Sequence, residues 1–218
     1  MLESPGASRF RTLRSLKNRF GAVNELGVFA MTEYGMKEIS NPSAIFLEKG
    51  ETSAPGSAIT VIWEGTRPML IEIQALVDRS ASQPKRVCLG LDHHRLSMHL
   101  AALNRHTGIS LIDWDVFANV VGGVKISETA PDLALLISII SSYQNKLIPD
   151  DFVIFGEIGL TGELRPVANG QERLREAQKH GFKKALIPFA NAPKQDQDGM
   201  QTFAAKNLSE AIKSLGFG

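Results

Sequence analysis

The sequence predicts a mixed α/β domain of two layers behind a mostly β opening, and three features carry that reading. Between Ala22 and about Val77 the runs "LGVFAMT", "MKEIS", "AIFLE", "SAITVIWEG" and "PMLIEIQALV" are of strand type, punctuated by Gly35, Pro42, Gly50, Pro55 and Gly56. After Asp92 helical and strand patterns alternate to the C-terminus. One of those helices, following Pro131, is apolar nearly all round and must therefore be buried.

Each element has a local cause. "EGTRP" reads as the turn of a hairpin between the last two strands of the opening. Asp92 is a good N-cap for a helix reaching about His106, with Leu96, Leu100 and Leu103 on one face and Gly108 as its stop. "DVFANVV" is a strand. In "KISETAPDLALLISIISSYQNK" the spacing predicts a cap at Thr129, Pro131 in the first turn and Asp132 answering in a capping box. Leu133, Leu136, Ile137 and Ile140 follow at helical spacing, and Leu135 and Ile139 fill the remaining face. "DFVIFGEIGL" reads as one strand. A helix capped by Asn169 with Glu172 and ended by Gly181 comes next, followed by the strand "KKALIP" and a closing helix capped by Asn207 with Glu210.

Composition narrows the function classes. The chain has 218 residues, 43% hydrophobic content and a formal charge of +1, which suits a soluble globular protein with a full core. No apolar run approaches the roughly 18 to 20 residues that span a bilayer, and Met1 to Arg14 lack a signal-peptide centre, so the expectation is a cytoplasmic protein with no membrane partner. Cys88 is the only cysteine and is expected as a small buried hydrophobe. Charge is uneven: Arg9, Arg11, Arg14, Lys17 and Arg19 face Glu3 alone before Gly21, making a basic arm over residues 1–21 ahead of a body over 22–218. A second basic run holds Arg165, Arg173, Arg175, Lys179, Lys183 and Lys184, with a solvated surface as the simplest reading.

The specific catalytic signatures are missing. There is no G-x-x-x-x-G-K-[ST] and no G-x-G-x-x-G. His93, His94, His99 and His106 share one helix without H-E-x-x-H or a completing Cys, Asp or Glu set, so no metal is expected and the histidines read as helix surface. A hydroxyl nucleophile at Ser127 or Thr129 is the remaining enzymatic idea. It meets the objection that Asp132, a carboxylate, occupies the helix start where an oxyanion would be stabilised.

"GEIGLTGELRPVANGQERLREAQKHGFKKALIP", residues 156–188, resembles the proteolytic domain of the Lon family, which implies a two-layer fold of the ribosomal-protein-like βαβ superfamily. That family's catalytic lysine falls on Gln171 here, and its serine on Asp132 or Pro131. Neither an alcohol nor a titratable amine stands at those positions, so the resemblance implies a pseudo-protease with no catalytic residues. The combination resembles the bacterial RadA (Sms) family of DNA repair and recombination proteins. "FRTLRSLKNRFGAVNELGVFAM" carries its K-N-R-F-G segment at Lys17, Asn18, Arg19, Phe20 and Gly21, and "NPSAIFL", "WEGTRPMLIEIQALV", "VVGGVK" and "GQERLREAQKHGF" continue the match.

The resemblance implies a piece of a longer protein. A full member carries a four-cysteine zinc element and an ATPase core that binds ATP and Mg, and none of these cofactors is expected in the present residues. It implies a branch-migration helicase that hydrolyses ATP, forms a homo-oligomeric hexameric ring, acts on single-stranded or branched DNA and works beside a RecA-type recombinase. Arg14, Lys17, Arg19, Arg175, Lys179, Lys183 and Lys184 are the candidate DNA contacts, with Lys17 and Arg19 acting beside nucleotide. Gln171, Arg175 and Lys179 recur every four residues on one helix face while Leu174 and Ala177 point inward. The alternative is a peptidase with an altered dyad that uses Thr129. The arm from Met1 to Lys17 is expected to fray in the absence of its docking partner.

Overall fold

The computed structural model describes residues 2–3, 10–14, 26–39, 54–65, 67–194 and 199–217. Four strands near the N-terminus, β1 (Leu2–Glu3), β2 (Phe10–Arg14), β3 (Leu26–Thr32) and β4 (Gly35–Glu38), form an antiparallel sheet in chain order. The pairing of Phe10 with Ala30 through Arg14 with Leu26 ties the basic arm to strands read from sequence as part of the body. Two stretches expected to fray are thus paired strands. Lys17 to Gly21, the boundary near Ala22 and the strand "AIFLE" lie outside the described residues.

The body opens with a hairpin of β5 (Ser57–Glu64) and β6 (Arg67–Arg79), turning at "EGTRP" as the sequence predicts. β7 (Arg86–Leu89), helix α1 (His93–Thr107) and β8 (Trp114–Val120) follow, and the sheet has the order β5-β6-β8-β7 with β7 parallel to β8. Helix α2 (Asp132–Gln144) comes next. It is followed by β9 (Phe152–Ile154), the short hairpin β10 (Glu157–Ile158) and β11 (Leu164–Arg165), and helix α3 (Gly170–Lys179). β12 (Lys184–Pro188), β13 (Gln201–Ala205) and helix α4 (Leu208–Ser214) complete the chain, with a parallel sheet ordered β13-β12-β9.

α2 is the centre of the packing. Every residue from Asp132 to Ser141 is buried, as an all-round apolar pattern requires. Leu133, Leu136, Ile137, Ile139 and Ile140 are wholly inaccessible and share one core with Ile73, Val116, Leu96 and Leu208. Each such side chain contributes on the order of 1.5–3 kcal/mol of burial. The helix also bonds to the sheet through hydroxyls: Gly56 N–H donates to Ser141 Oγ at 2.9 Å and Val77 N–H to Ser142 Oγ at 2.9 Å.

Caps divide the sequence reading. Asp92 accepts from Arg95 N–H at 2.8 Å, and Gly108 closes α1 in the left-handed region at φ 74°. Asn207 accepts from Glu210 N–H at 3.0 Å and so caps α4, while Glu210 reaches back past the cap to accept from Lys206 N–H at 2.7 Å. At α2 and α3 the expected caps are absent. Thr129 sends its hydroxyl to Glu157, and Asn169 takes a left-handed conformation at φ 57° without a side-chain cap bond. A strand end caps α2 instead: Leu133 N–H donates to Gly156 O at 3.1 Å and Gly156 N–H to Ala130 O at 2.8 Å. That service to the helix breaks the expected single strand "DFVIFGEIGL" into β9 and β10.

Leu136→Ala is expected to lower unfolding free energy by about 2–5 kcal/mol in urea titrations, whereas Ile112→Ala, at a surface position, should change it by less than about 0.5 kcal/mol.

Candidate functional site

A groove of about 790 Å³ opens where β7, the start of α1 and the start of α2 converge. Its walls are Cys88 to Asp92 and Arg95 on one side, and Lys125 to Glu128 with Pro131, Asp132 and Leu135 on the other. Gly90 makes this approach possible: its φ is 83°, and a Cβ there would stand 2.5 Å from Val124 O and 2.7 Å from Val120 Cβ. Ile126 N–H then donates to Gly90 O at 2.8 Å and closes the groove floor. Cys88 is half-buried, short of the full burial expected, and burial pushes its thiol pKa up.

Asp132 lies at the inner end. It is 6% exposed and accepts from Arg95 through both Nε, at 3.1 Å, and Nη2. Ile158 N–H donates to its Oδ2 at 3.3 Å. His99 Nε2 lies 3.1 Å from Oδ1, although neither ring nitrogen makes an in-line hydrogen bond. The bond to Asp132 is the first cause of the raised Arg95 pKa, burial opposes it, and Glu157 and Asp92 add attraction. His99 is therefore not the surface histidine expected from sequence: it is 2% exposed and faces a carboxylate.

The other dyad position is also committed elsewhere. Gln171 Nε2 donates to Asn191 O at 3.0 Å, and Asn191 bonds both ways to the Val167 backbone at 2.9 Å. Thr129, the alternative nucleophile, donates its hydroxyl to Glu157 Oε2 at 2.6 Å. Its partner is a carboxylate, in place of the imidazole or amine that activates the hydroxyl in the common Ser–His and Thr–amine arrangements.

A second ion pair fixes the loop between these points. Arg173 is 1% exposed, so it leaves the surface run to which the sequence assigns it. Its Nη1 and Nη2 meet Glu128 at 3.0 and 2.6 Å, Nη1 also donates to Val61 O at 2.5 Å, and Nε donates to Ala168 O at 2.9 Å. Glu128 further accepts from Trp63 N–H at 2.5 Å. One guanidinium thus joins α3, β5 and the groove loop.

The candidate DNA contacts on α3 lie on its outer face as the spacing predicts, with Leu174 and Ala177 buried opposite. They are interleaved with acids. Arg175 stands 4.0 Å from Glu172 and Lys179 3.4 Å from Glu176. Lys184 pairs with Asp151 at 3.2 Å and lies over the Phe152 ring, and Lys183 is exposed. Exposed pairs of this kind are worth about 0–1 kcal/mol each and leave the cations free to exchange partners. Arg14 is described only as a residue of β2, and Lys17 and Arg19 lie outside the described residues.

Arg95, His99, Glu128, Glu157 and Arg173 are absent from the sequence-predicted site. Two of them carried a signal. His99 falls three residues after Leu96 and four before Leu103, and Arg173 between Gly170 and the pair Leu174 and Ala177, so helical periodicity puts both on buried faces.

Comparison with known proteins decides the family. The chain is 59% identical to the DNA repair protein RadA of Haemophilus influenzae over 216 residues, covering 99% of this chain and 47% of that protein. The chain belongs to the RadA family of DNA repair proteins. It is likewise 59% identical to RadA of Escherichia coli over 213 residues and 45% identical to RadA of Bacillus subtilis over 214 residues, covering 46% of each relative. It spans about half the length of these RadA relatives. A family model described as subunit ChlI of Mg-chelatase matches residues 101–191, a segment that holds Asp132, Gln171 and Arg173 but no G-x-x-x-x-G-K-[ST]. Among the described residues no helix is long and apolar enough to cross a membrane, and no group of three or more His, Cys, Asp or Glu is placed to hold a metal.

Arg173→Met should cost about 3 kcal/mol of unfolding free energy, because Glu128 and two backbone carbonyls lose their partner. Arg175→Ala should leave stability within about 0.5 kcal/mol in the same urea titration.

Proposed function

We propose that this chain is a non-proteolytic, Lon-like part of a RadA-type DNA repair ATPase, serving as a scaffold for ring assembly and contributing contact with single-stranded or branched DNA. The observation that carries the reading is the state of Asp132. At the helix start where a nucleophile would stand, a buried carboxylate is engaged by Arg95 and Ile158 N–H, and Gln171 offers no titratable amine. The groove that a peptidase would use for chemistry thus holds a fixed ion pair.

Membership of the family supports the rest of the proposal. ATP, Mg and zinc belong to parts of the longer protein, as does the motor that would act on DNA beside a RecA-type recombinase in the cytoplasm. Lys17 and Arg19 act with that motor near nucleotide, where a fixed cation stabilises developing phosphoryl charge. The body carries exposed cations on α3 at helical spacing, Arg175 and Lys179, and Lys183 just beyond it. Aromatic residues do not interleave with them, which favours phosphate contact over base stacking.

Titrating labelled single-stranded DNA with the chain at about 50 and about 200 mM salt tests this reading. Affinity should fall steeply with salt, and Arg175→Ala with Lys179→Ala should weaken binding and flatten the salt dependence, with a further loss for Lys17→Ala and Arg19→Ala. Point substitutions are needed because removing residues 1–21 would strip β2 from β3. Unchanged binding in both pairs of variants would remove DNA contact from the proposal. Casein and fluorogenic peptides should not be turned over, and turnover abolished by Thr129→Ala would overturn the scaffold reading.

A further inference from the structure

From Ser57 onward, Phe189 is the one Phe, Tyr or Trp among the described residues that stands mostly in water, at 57% exposed. A single apolar side chain at the surface needs no partner on its own account. The setting of this one points to a ligand. Register pairs Pro188, the last residue of β12, with Ala205, the last of β13, so Phe189 and Lys206 leave two neighbouring parallel strands side by side at their carboxyl ends. Lys206 is exposed, and its Nζ lies 4.9 Å from the centre of the Phe189 ring.

The ring is presented by a fixed turn. Ala192 N–H donates to Phe189 O at 3.1 Å, Asn191 bonds both ways to the Val167 backbone at 2.9 Å, and Gln171 Nε2 donates to Asn191 O at 3.0 Å. Gly170 admits this approach, since a Cβ there would stand 2.5 Å from Asn191 Nδ2. The turn is thereby fastened to the first turn of α3, whose outer face carries Arg175 and Lys179. Gly199, where the described chain resumes after residue 194, lies beside Gln178 at the other end of α3. A further exposed cation, Arg165, follows Leu164, whose N–H donates to Lys206 O at 2.8 Å. The carboxylates beside these cations are engaged: Glu163 by Arg165 Nε at 2.8 Å and by the Thr161 hydroxyl, and Glu210 by Lys206 N–H at 2.7 Å and Asn207 Nδ2 at 3.0 Å.

We propose that Phe189 stacks on one unpaired base of single-stranded DNA while Lys206 meets the adjoining phosphate. A lysine over a water-exposed ring is a weak contact on a flexible stem, so a flat π surface can replace it and leave the ammonium to meet an anion beside the ring. An unpaired nucleotide supplies both groups, a base for the ring and a phosphate for the cation. The fixed turn matters here, because a ring already held in place loses little freedom when a base settles on it. The inference rests on the DNA-contact reading above, and it adds to the phosphate contacts of α3 a site that requires a base.

Fluorescence anisotropy with the whole chain separates stacking from charge by comparing labelled oligothymidylate with an abasic strand of the same length. The parent should bind oligothymidylate at least about fivefold more tightly. Phe189→Ala, checked for retained circular dichroism, should bring oligothymidylate down to the affinity of the abasic strand, and Phe189→Trp should restore the preference. Lys206→Ala should weaken binding of both strands and lower the salt slope by about one. Irradiating the unsubstituted chain with an oligonucleotide that carries 5-iodouracil should place the adduct at Phe189, a result that depends on no variant folding. Equal affinity of the parent for the two strands, a preference that survives Phe189→Ala, or adducts only at other residues would overturn the stacking site and leave phosphate contact standing. A chain that binds neither strand at low salt would overturn both.

Discussion

The carboxylate of Asp132 is the constraint around which the body is arranged. It sits 6% exposed at the first turn of a helix buried along most of its length, and such a charge is tolerated only with close partners. Three elements supply them: Arg95 and His99 from α1, Ile158 N–H from β10, and the N-terminal dipole of α2 itself. The relative placement of α1, α2 and β10 is therefore set by one group. Moving any of them away would leave a desolvated charge with less compensation, a cost added to the loss of ordinary apolar contact.

A second ion pair, its guanidinium buried, stands on the far side of the same loop. Arg173 holds Glu128 in bidentate fashion while bonding to the backbones of Val61 and Ala168, so the chain from Glu128 to Asp132 is pinned at both ends. Between the pins Thr129 is turned to Glu157. A segment held this way is well suited to presenting a fixed surface and poorly suited to the proton movements of a hydrolase. On another side the body carries the charge-balanced outer face of α3, where Arg175 and Lys179 stand beside Glu172 and Glu176.

Much of this architecture was legible because apolar spacing decided it. The hairpin at "EGTRP", the limits of α1, the burial of α2 and the inward turn of Leu174 and Ala177 all follow from periodicity and turn residues. The caps at Thr129 and Asn169 failed for different reasons: Thr129 turns its hydroxyl to a distant partner, Glu157, and Asn169 stands in a left-handed turn without a side-chain cap bond. The polar centre was illegible for a related cause. Arg95 with Asp132 and Arg173 with Glu128 are separated by tens of residues, and sequence alone gives no sign of which charges will meet. What it did offer was the buried phase of His99 and Arg173 on their helices, a signal that residue type, ordinarily exposed for both, concealed.

A double-mutant cycle between Arg95 and Asp132 tests the central claim most directly, with Arg95→Ala, Asp132→Ser and the double variant compared by urea unfolding. If the carboxylate organises the body, the two positions should couple by at least about 1 kcal/mol, the double variant costing less than the two single losses together. Losses that simply add, or an Asp132→Ser protein as stable as the parent, would show that the ion pair is incidental and that apolar packing alone sets the arrangement.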